Sequence, residues 1–457
     1  MEPNLAAHPP APLSARRALP WGLLPMAALL TTPLLAAGGC DVDASLGAQA
    51  DASLVVGLDA WVDPLDGGIA DLADASAEDV GQGDMSREDM GPADTGPADM
   101  GPVRPTYDFA PFDAALDAFL AENGLDGATA TVVHRDWGVL HEQSYGSFDL
   151  DRVIMLASSS KVVSAGVMMR LHEQGLIDLD APLRDAVGDR WGNARGRMSV
   201  AQLISNSSGL VGLLDNALYP FYLCQFLGVG SVESCARTIY FAPDRLDIVP
   251  PDTQFHYGGG QWHLAGGIAE AVTGKPWRQL VQEIYTEPCG LSLLDYANPY
   301  AQSTLVNGTS GPTSYPSFVN GDASNILPTT NPNIEGGAYT RVRDYAQLLL
   351  MHLRGGVCPG GRVLSEASVL RMREDRIWNV YRGSTHEPLA RGYGFGWWVH
   401  RDLPGVFSDA GSFGATPWID TQRGYAVIIL VEADPDAAPD LFRAMYPVTA
   451  DVIDSAQ

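Results

Sequence analysis

Lysine and arginine are scarce in this sequence: 28 of them stand against 55 aspartates and glutamates, for a net charge of −27 over 457 residues. That balance excludes nucleic acid as a partner, since binding its phosphates takes clustered basic side chains. Cysteine is nearly as rare. Five occur, and none forms a C-x-x-C, which removes zinc ribbons and thioredoxin-type redox motifs. Equally absent are a G-x-S-x-G elbow, an H-E-x-x-H pair and a Walker A loop. His256 and His263 stand seven apart with no third ligand in the pattern, so neither a metal nor any other cofactor is expected.

The acidity is uneven. Residues 41–104 hold 15 acidic residues against Arg87 and Arg104, a net of −13. There the composition is Asp, Ala, Gly and Pro, with a five-residue repeat, DMGPA-DTGPA-DMGPV, from Asp89 to Val103. Low hydrophobicity, like charges and recurrent Gly-Pro cannot offset the entropy of ordering a chain, so 41–106 is expected to be an extended, disordered tether. Ahead of it, Ala18–Gly39 carries no charge, follows Arg16 and Arg17, and ends in small residues before Cys40. A basic start, an apolar stretch and small residues describe an export signal over residues 1–40. The ending LLAAGGC resembles a bacterial lipoprotein signal, although Ala37 stands where that signal prefers leucine. The resemblance implies lipidation of Cys40 and anchoring in the cell envelope. An ordinary cleaved signal or an uncleaved anchor is the alternative, and Pro20, Pro25 and Pro33 oppose a spanning helix. The other cysteines, Cys224, Cys235, Cys289 and Cys358, either pair in an oxidising compartment or remain buried thiols.

From residue 107 onward the texture is globular. Helical periodicity covers Phe112–Ala121, and two strand-like runs, Gly127–His134 and Gly138–Gly146, are joined by RDWG as in a hairpin. Loop-rich helical sequence runs to about Gly274, and a helix starts near Arg343. Strands close the chain in YGFGWWVH, TPWID and GYAVIILVEA. The expected fold is α/β, an α+β sandwich whose antiparallel sheet is built from both ends of the domain. Helices flank it, and a mainly helical region is inserted. In YGFGWWVH, one of Trp397 and Trp398 is expected to face the core and the other the cleft or solvent.

Three serines precede a lysine in LASSSKVVSAGVMMRLHEQG, and the apolar residues behind them surround the helix, which marks it as buried. Only Ser158 stands three residues before Lys161, on the same helical face. A serine needs a base to attack a carbonyl, and a buried lysine can supply one. Alone, the four-residue pattern fits an N-capping serine and an exposed lysine better, and only its context argues for the nucleophile.

The stretch Leu156–Leu183 resembles the active-site helix of the serine β-lactamase and penicillin-binding-protein superfamily. The resemblance is nearest to the branch of class C β-lactamases, D-aminopeptidases and S-x-x-K carboxylesterases. It continues in order through SNSSGL (Ser205–Leu210), FHYGGGQWHLAGGIAEAVTG (Phe255–Gly274), GGAYTRVRDYAQLLLMHLRGG (Gly336–Gly356) and DAGSFGATPWIDTQRGYAVIIL (Asp409–Leu430). It implies Ser158 as the acylated nucleophile, Lys161 as its base partner and Tyr257 as the second-motif tyrosine. Tyr257 would need the lysine's charge nearby to act as a phenolate. The backbone N–H groups of Ser158 and Ser412 would form the oxyanion hole, with Gly411 and Gly259 along the substrate edge. Two positions depart from the pattern. Gly259 stands where the Y-x-N motif has asparagine, and Asp409 stands where K-T-G or H-x-G has a cation or polar group. Either Asp409 faces the cleft and selects neutral esters or amides, or a cationic substrate, over carboxylates, or it turns away or pairs with an arginine. The expected protein is thus an exported, monomeric serine hydrolase for a small-molecule or peptide ester or amide, reaching the membrane through its lipid. The alternative is an inactive envelope-binding lipoprotein that retains the fold.

Overall fold

A computed structural model describes residues 103–213, 219–244, 248–301, 323, 326, 329–385, 391–433 and 437–456. The export segment with Cys40, and the tether up to residue 102, lie outside the described residues. Helix α1 (Ala110–Asn123) opens the domain and leads into strands β1 (Gly127–His134) and β2 (Gly138–Gly146). The chain returns to this sheet only at β3 (Gly392–Tyr393), β4 (Trp398–Val399), β5 (Val406–Ser408), β6 (Ala415–Asp420) and β7 (Tyr425–Val431). The antiparallel order β2-β1-β7-β6-β5-β4-β3 joins the two chain ends where β1 pairs with β7, from Ala128 opposite Val431 to His134 opposite Tyr425. The sheet is therefore assembled from both ends of the domain, as its terminal strand patterns predict.

Strands β1 and β7 are buried along their whole length, because helices cover both faces of the sheet. The two-residue period of a strand sorts their side chains into two cores. Val427, Ile429 and Val431 meet Ala128, Ala130 and Val132 under α1 and the C-terminal helix, through Phe112, Leu116, Leu441 and Met445. Ala426, Ile428 and Leu430 face the opposite core with Leu348, Leu349 and Met351. Each fully buried Ile or Val contributes about 1.5–3 kcal/mol.

Between β2 and β3 lies the inserted, mainly helical region. Helix α2 (Ser160–Glu173) has eleven buried residues, in keeping with its all-round apolar sequence. Helix α3 (Gly260–Thr273), helix α4 (Val342–Leu353) and, after the sheet, helix α5 (Ala437–Asp454) complete the main helices. A small sheet of Ile154–Met155, Ala338–Thr340 and Leu294–Tyr296 underlies the start of α2. Disulfides join Cys224 to Cys235 and Cys289 to Cys358, resolving the open cysteine reading in favour of pairing.

Gly166 fixes the depth at which α2 is buried. The Tyr285 hydroxyl donates to the Val163 carbonyl at 3.2 Å, and a Cβ on Gly166 would fall 1.8 Å from that hydroxyl oxygen. Gly166→Ala is therefore expected to destabilise the fold by about 1–3 kcal/mol through overpacking. A lowered midpoint in denaturant unfolding checks this; an unchanged midpoint would show that Tyr285 yields freely.

Candidate active site

Ala157 sits in the left-handed region at φ 46°, uncommon for a residue with a Cβ, and turns the chain just before α2. Ser158 consequently lies in a single 3₁₀ turn, Ala157–Ser159, ahead of the regular helix rather than within its first turn. This presents Ser158 to the surface while its neighbours are fully buried. Those neighbours hold the turn in place. Ser159 donates to the carbonyls of Asp409 and Ala415, and Ser160 donates to the Ala157 carbonyl at 2.6 Å while accepting from Ala338 N–H at 2.9 Å.

Lys161, one of only two lysines in the sequence, is 1% exposed. Its ammonium donates to Ser158 Oγ at 3.2 Å and to the Glu335 carbonyl at 3.1 Å. It stands 3.6 Å from Glu335 Oε2 and 4.6 Å from the centre of the Tyr257 ring. Tyr257 comes from the loop before α3 and packs at 5.0 Å on Trp398, with Phe255 and Tyr393 closing an aromatic cluster. Trp397 is fully buried against His352 and Trp398 is half-buried, so the two tryptophans divide as expected. Ser158, Lys161 and Tyr257 thus come together from positions up to 99 residues apart.

The turn Asp409–Gly414 abuts the nucleophile from the sheet side. A Cβ on Gly411 would fall 2.0 Å from the Leu156 carbonyl, so only glycine allows this approach. Ser412 lies in the turn between β5 and β6, two interior strands of the sheet. The Gly411 N–H donates to Ala415 at 2.8 Å and closes that turn, while neither Ser158 N–H nor Ser412 N–H is taken by a backbone carbonyl.

Two expected edge residues point elsewhere. Asp409 is fully buried, and its Oδ2 accepts from Val162 N–H at 3.3 Å, so it turns away from the cleft. Burial pushes its carboxyl well above the ordinary range, against the pull of Lys161 and the Val162 N–H. Gly259 is also buried; its N–H donates at 2.8 Å to Glu335 Oε2 rather than lining the substrate edge. Glu335 is the residue that the motif reading misses. It stands one position before the block Gly336–Gly356, and 174 residues separate it from Lys161, so no local pattern marks it.

The electrostatics follow from burial. For Tyr257, burial raises the phenol's pKa, and the Lys161 charge and Ser158 hydroxyl recover only part of that. For Lys161, burial disfavours the charge, but the acidic groups Tyr257, Glu335 and Asp409 outweigh it, and its pKa lies above the usual lysine value. Both groups of the pair thus hold their protons more tightly than a free phenol or lysine does. His256 and His263 stay apart: one contacts the Leu210 carbonyl, the other Asn331, and no metal-ligand cluster exists among the described residues.

A sheet closed by both chain ends, with helices on both faces and a Ser-x-x-Lys turn at its rim, is the fold of β-lactamases and transpeptidases. The beta-lactamase family model matches residues 112–449, and the chain belongs to that family. It is 27% identical to penicillin-binding protein 4 of Amycolatopsis lactamdurans over 364 residues, covering 74% of this chain and 89% of that protein. Over 184 residues, 39% of either chain, it is 26% identical to the esterase/beta-lactamase LipL of Mycobacterium tuberculosis. A solved penicillin-binding protein homologue from Caulobacter crescentus shares the fold with a TM-score of 0.57 at 19% identity, over 74% of this chain and 97% of that one.

Because burial holds the folded-state pKa of Asp409 above its ordinary value of 3.8, the group costs stability as pH rises past that value. Asp409→Asn removes that penalty. The variant's unfolding midpoint is expected to match wild type in acid and to exceed it increasingly as pH rises above about 4. A variant less stable at every pH would mean that the aspartate is ionised in place.

Proposed function

We propose that this chain is an exported serine hydrolase that forms an acyl-serine intermediate on neutral esters or amides. The observation that carries the reading is the 3.2 Å contact from the buried Lys161 ammonium to the partly exposed Ser158 hydroxyl, with Tyr257 against both. In this reading the Lys161–Tyr257 pair first gives up one proton to solvent. Ser158 Oγ then attacks the substrate carbonyl as its proton passes to that pair. The Ser158 and Ser412 N–H groups receive the developing oxyanion, an arrangement worth several kcal/mol in acyl transfer. The proton moves on to the leaving group, and water releases the acyl group by the same steps in reverse order.

The missing Y-x-N asparagine and the inward turn of Asp409 leave the third-motif position without a cation for a substrate carboxylate. Ester chemistry is favoured over β-lactam turnover on that ground, and the esterase/beta-lactamase relative supports it. Half-buried Trp398 beside Tyr257 offers an apolar wall to the acyl or alcohol part. Two disulfides favour an oxidising compartment and so support export; lipidation of Cys40 would hold the enzyme at the envelope.

A fluorophosphonate probe is expected to label the wild-type protein and to leave Ser158→Ala unlabelled. Short-chain ester hydrolysis should fall about a thousandfold or more in Ser158→Ala and Lys161→Ala, with slow turnover of a chromogenic cephalosporin by wild type. Rapid cephalosporin turnover would overturn the substrate assignment. A folded wild type that no acylating probe labels would leave an envelope-binding protein.

A further inference from the structure

We propose that Glu335 is a positioning residue of this site: it enters the corner vacated by Gly258 and Gly259, holds Lys161 beneath Ser158, and sets the proton affinity of the Lys161–Tyr257 pair. The inference deepens the acyl-serine reading and rests on it for its catalytic meaning.

The departure Tyr257-Gly258-Gly259 and the presence of Glu335 are two halves of one arrangement. Gly258 has φ 72°, and a Cβ there would lie 2.5 Å from Glu335 Oε2. The next residue donates its N–H to that same oxygen at 2.8 Å. With no side chain on Gly258 and the Gly259 N–H free to donate, a carboxylate from a remote segment reaches the place beside the catalytic loop. Glu335 then contacts Lys161 twice, through its carbonyl at 3.1 Å and its Oε2 at 3.6 Å.

The segment that delivers it is held firmly. Asn331 donates to the carbonyls of Cys224 and Leu227 and meets His263; Ser164 donates to the Ile334 carbonyl at 2.7 Å; the Gly337 N–H donates to the Asn333 carbonyl at 2.8 Å. Glu335 Oε1, by contrast, is buried with no hydrogen-bond partner among the described residues. An unsatisfied buried carboxylate oxygen is costly, so this placement does not serve stability alone.

The charged and titratable groups facing Glu335 are Lys161 from α2, Tyr257 from the loop before α3, Tyr300, and Tyr393 from β3, while Asp409 from the turn after β5 acts on the same lysine. Glu335 is the carboxylate in contact with the ammonium, and although burial raises its own pKa, the Lys161 charge and the Gly259 N–H pull it back towards the ionised form. A negative charge there raises the proton affinity of both Lys161 and Tyr257. Removing it lowers the pH at which the pair loses its first proton, whichever group releases it.

The presence of only two lysines makes this directly measurable. Lysine labelled with an NMR-active isotope at Cε gives two resonances, and Lys275→Arg assigns them. In the full-length protein, Glu335→Gln is expected to lower the Lys161 titration midpoint by about one pH unit or more. Glu335→Asp, which keeps the charge on a shorter arm, should fall between that variant and wild type. The rising limb of the pH profile for fluorophosphonate acylation of Ser158 should move down in parallel. A folded Glu335→Gln or Glu335→Asp protein whose Lys161 titrates as in wild type overturns the proposal. If Glu335→Gln does not fold, Glu335→Asp decides by the same midpoint. A shifted Lys161 midpoint in a protein whose Ser158 is never acylated would sustain the Glu335 contact and refute the hydrolase reading instead.

Discussion

An ammonium group almost without solvent exposure has to be compensated on the spot, and much of this site is arranged around that demand at Lys161. The compensation comes from three directions: the Ser158 hydroxyl, the Glu335 carbonyl and carboxylate, and the face of Tyr257. Each requires a separate chain segment to reach one point. That requirement accounts for features with no local rationale, including the left-handed Ala157, the paired glycines at 258 and 259, and a glutamate buried with one oxygen unpaired among the described residues. A buried charge whose partner is removed costs far more than the pair contributes. The site thus depends on the whole set being present together.

The frame that makes this convergence feasible is the sheet. Pairing β1 with β7 brings the two ends of the domain together, and the alternation of β7 assigns Ile428 to one core and Ile429 to the other. On the first of these faces sits α2. Its N-terminal turn is sewn to the sheet side by Ser159 and to the small underlying sheet by Ser160. The three adjacent serines are therefore not equivalent: two hold the turn, and Ser158 alone is presented outward. Gly411 belongs to the same construction, since a side chain there would strike the Leu156 carbonyl.

Much of this is legible before any coordinates. Strand alternation and the all-round apolar helix are local signals, and the i, i+3 spacing of Ser158 and Lys161 is local too. The ordered motif blocks extend that reading to Tyr257 and to the Gly411–Ser412 turn. What escapes is orientation. Asp409 and Gly259 occupy motif positions that suggest the substrate edge, yet both are turned inward, because an acid next to Val162 N–H and an amide next to Glu335 find partners there. Periodicity cannot report such a choice for a turn residue, which follows no repeat.

By itself the sequence determined the class of fold, the choice of Ser158 among three serines and its pairing with Lys161, because helical and strand geometry translate spacing directly into shared faces. Tertiary structure alone decided which carboxylate meets that lysine and which turns to the Val162 N–H. Glu335 and Asp409 lie 174 and 248 residues beyond Lys161, and burial and proximity, which set their protonation, arise only when those segments are packed around it.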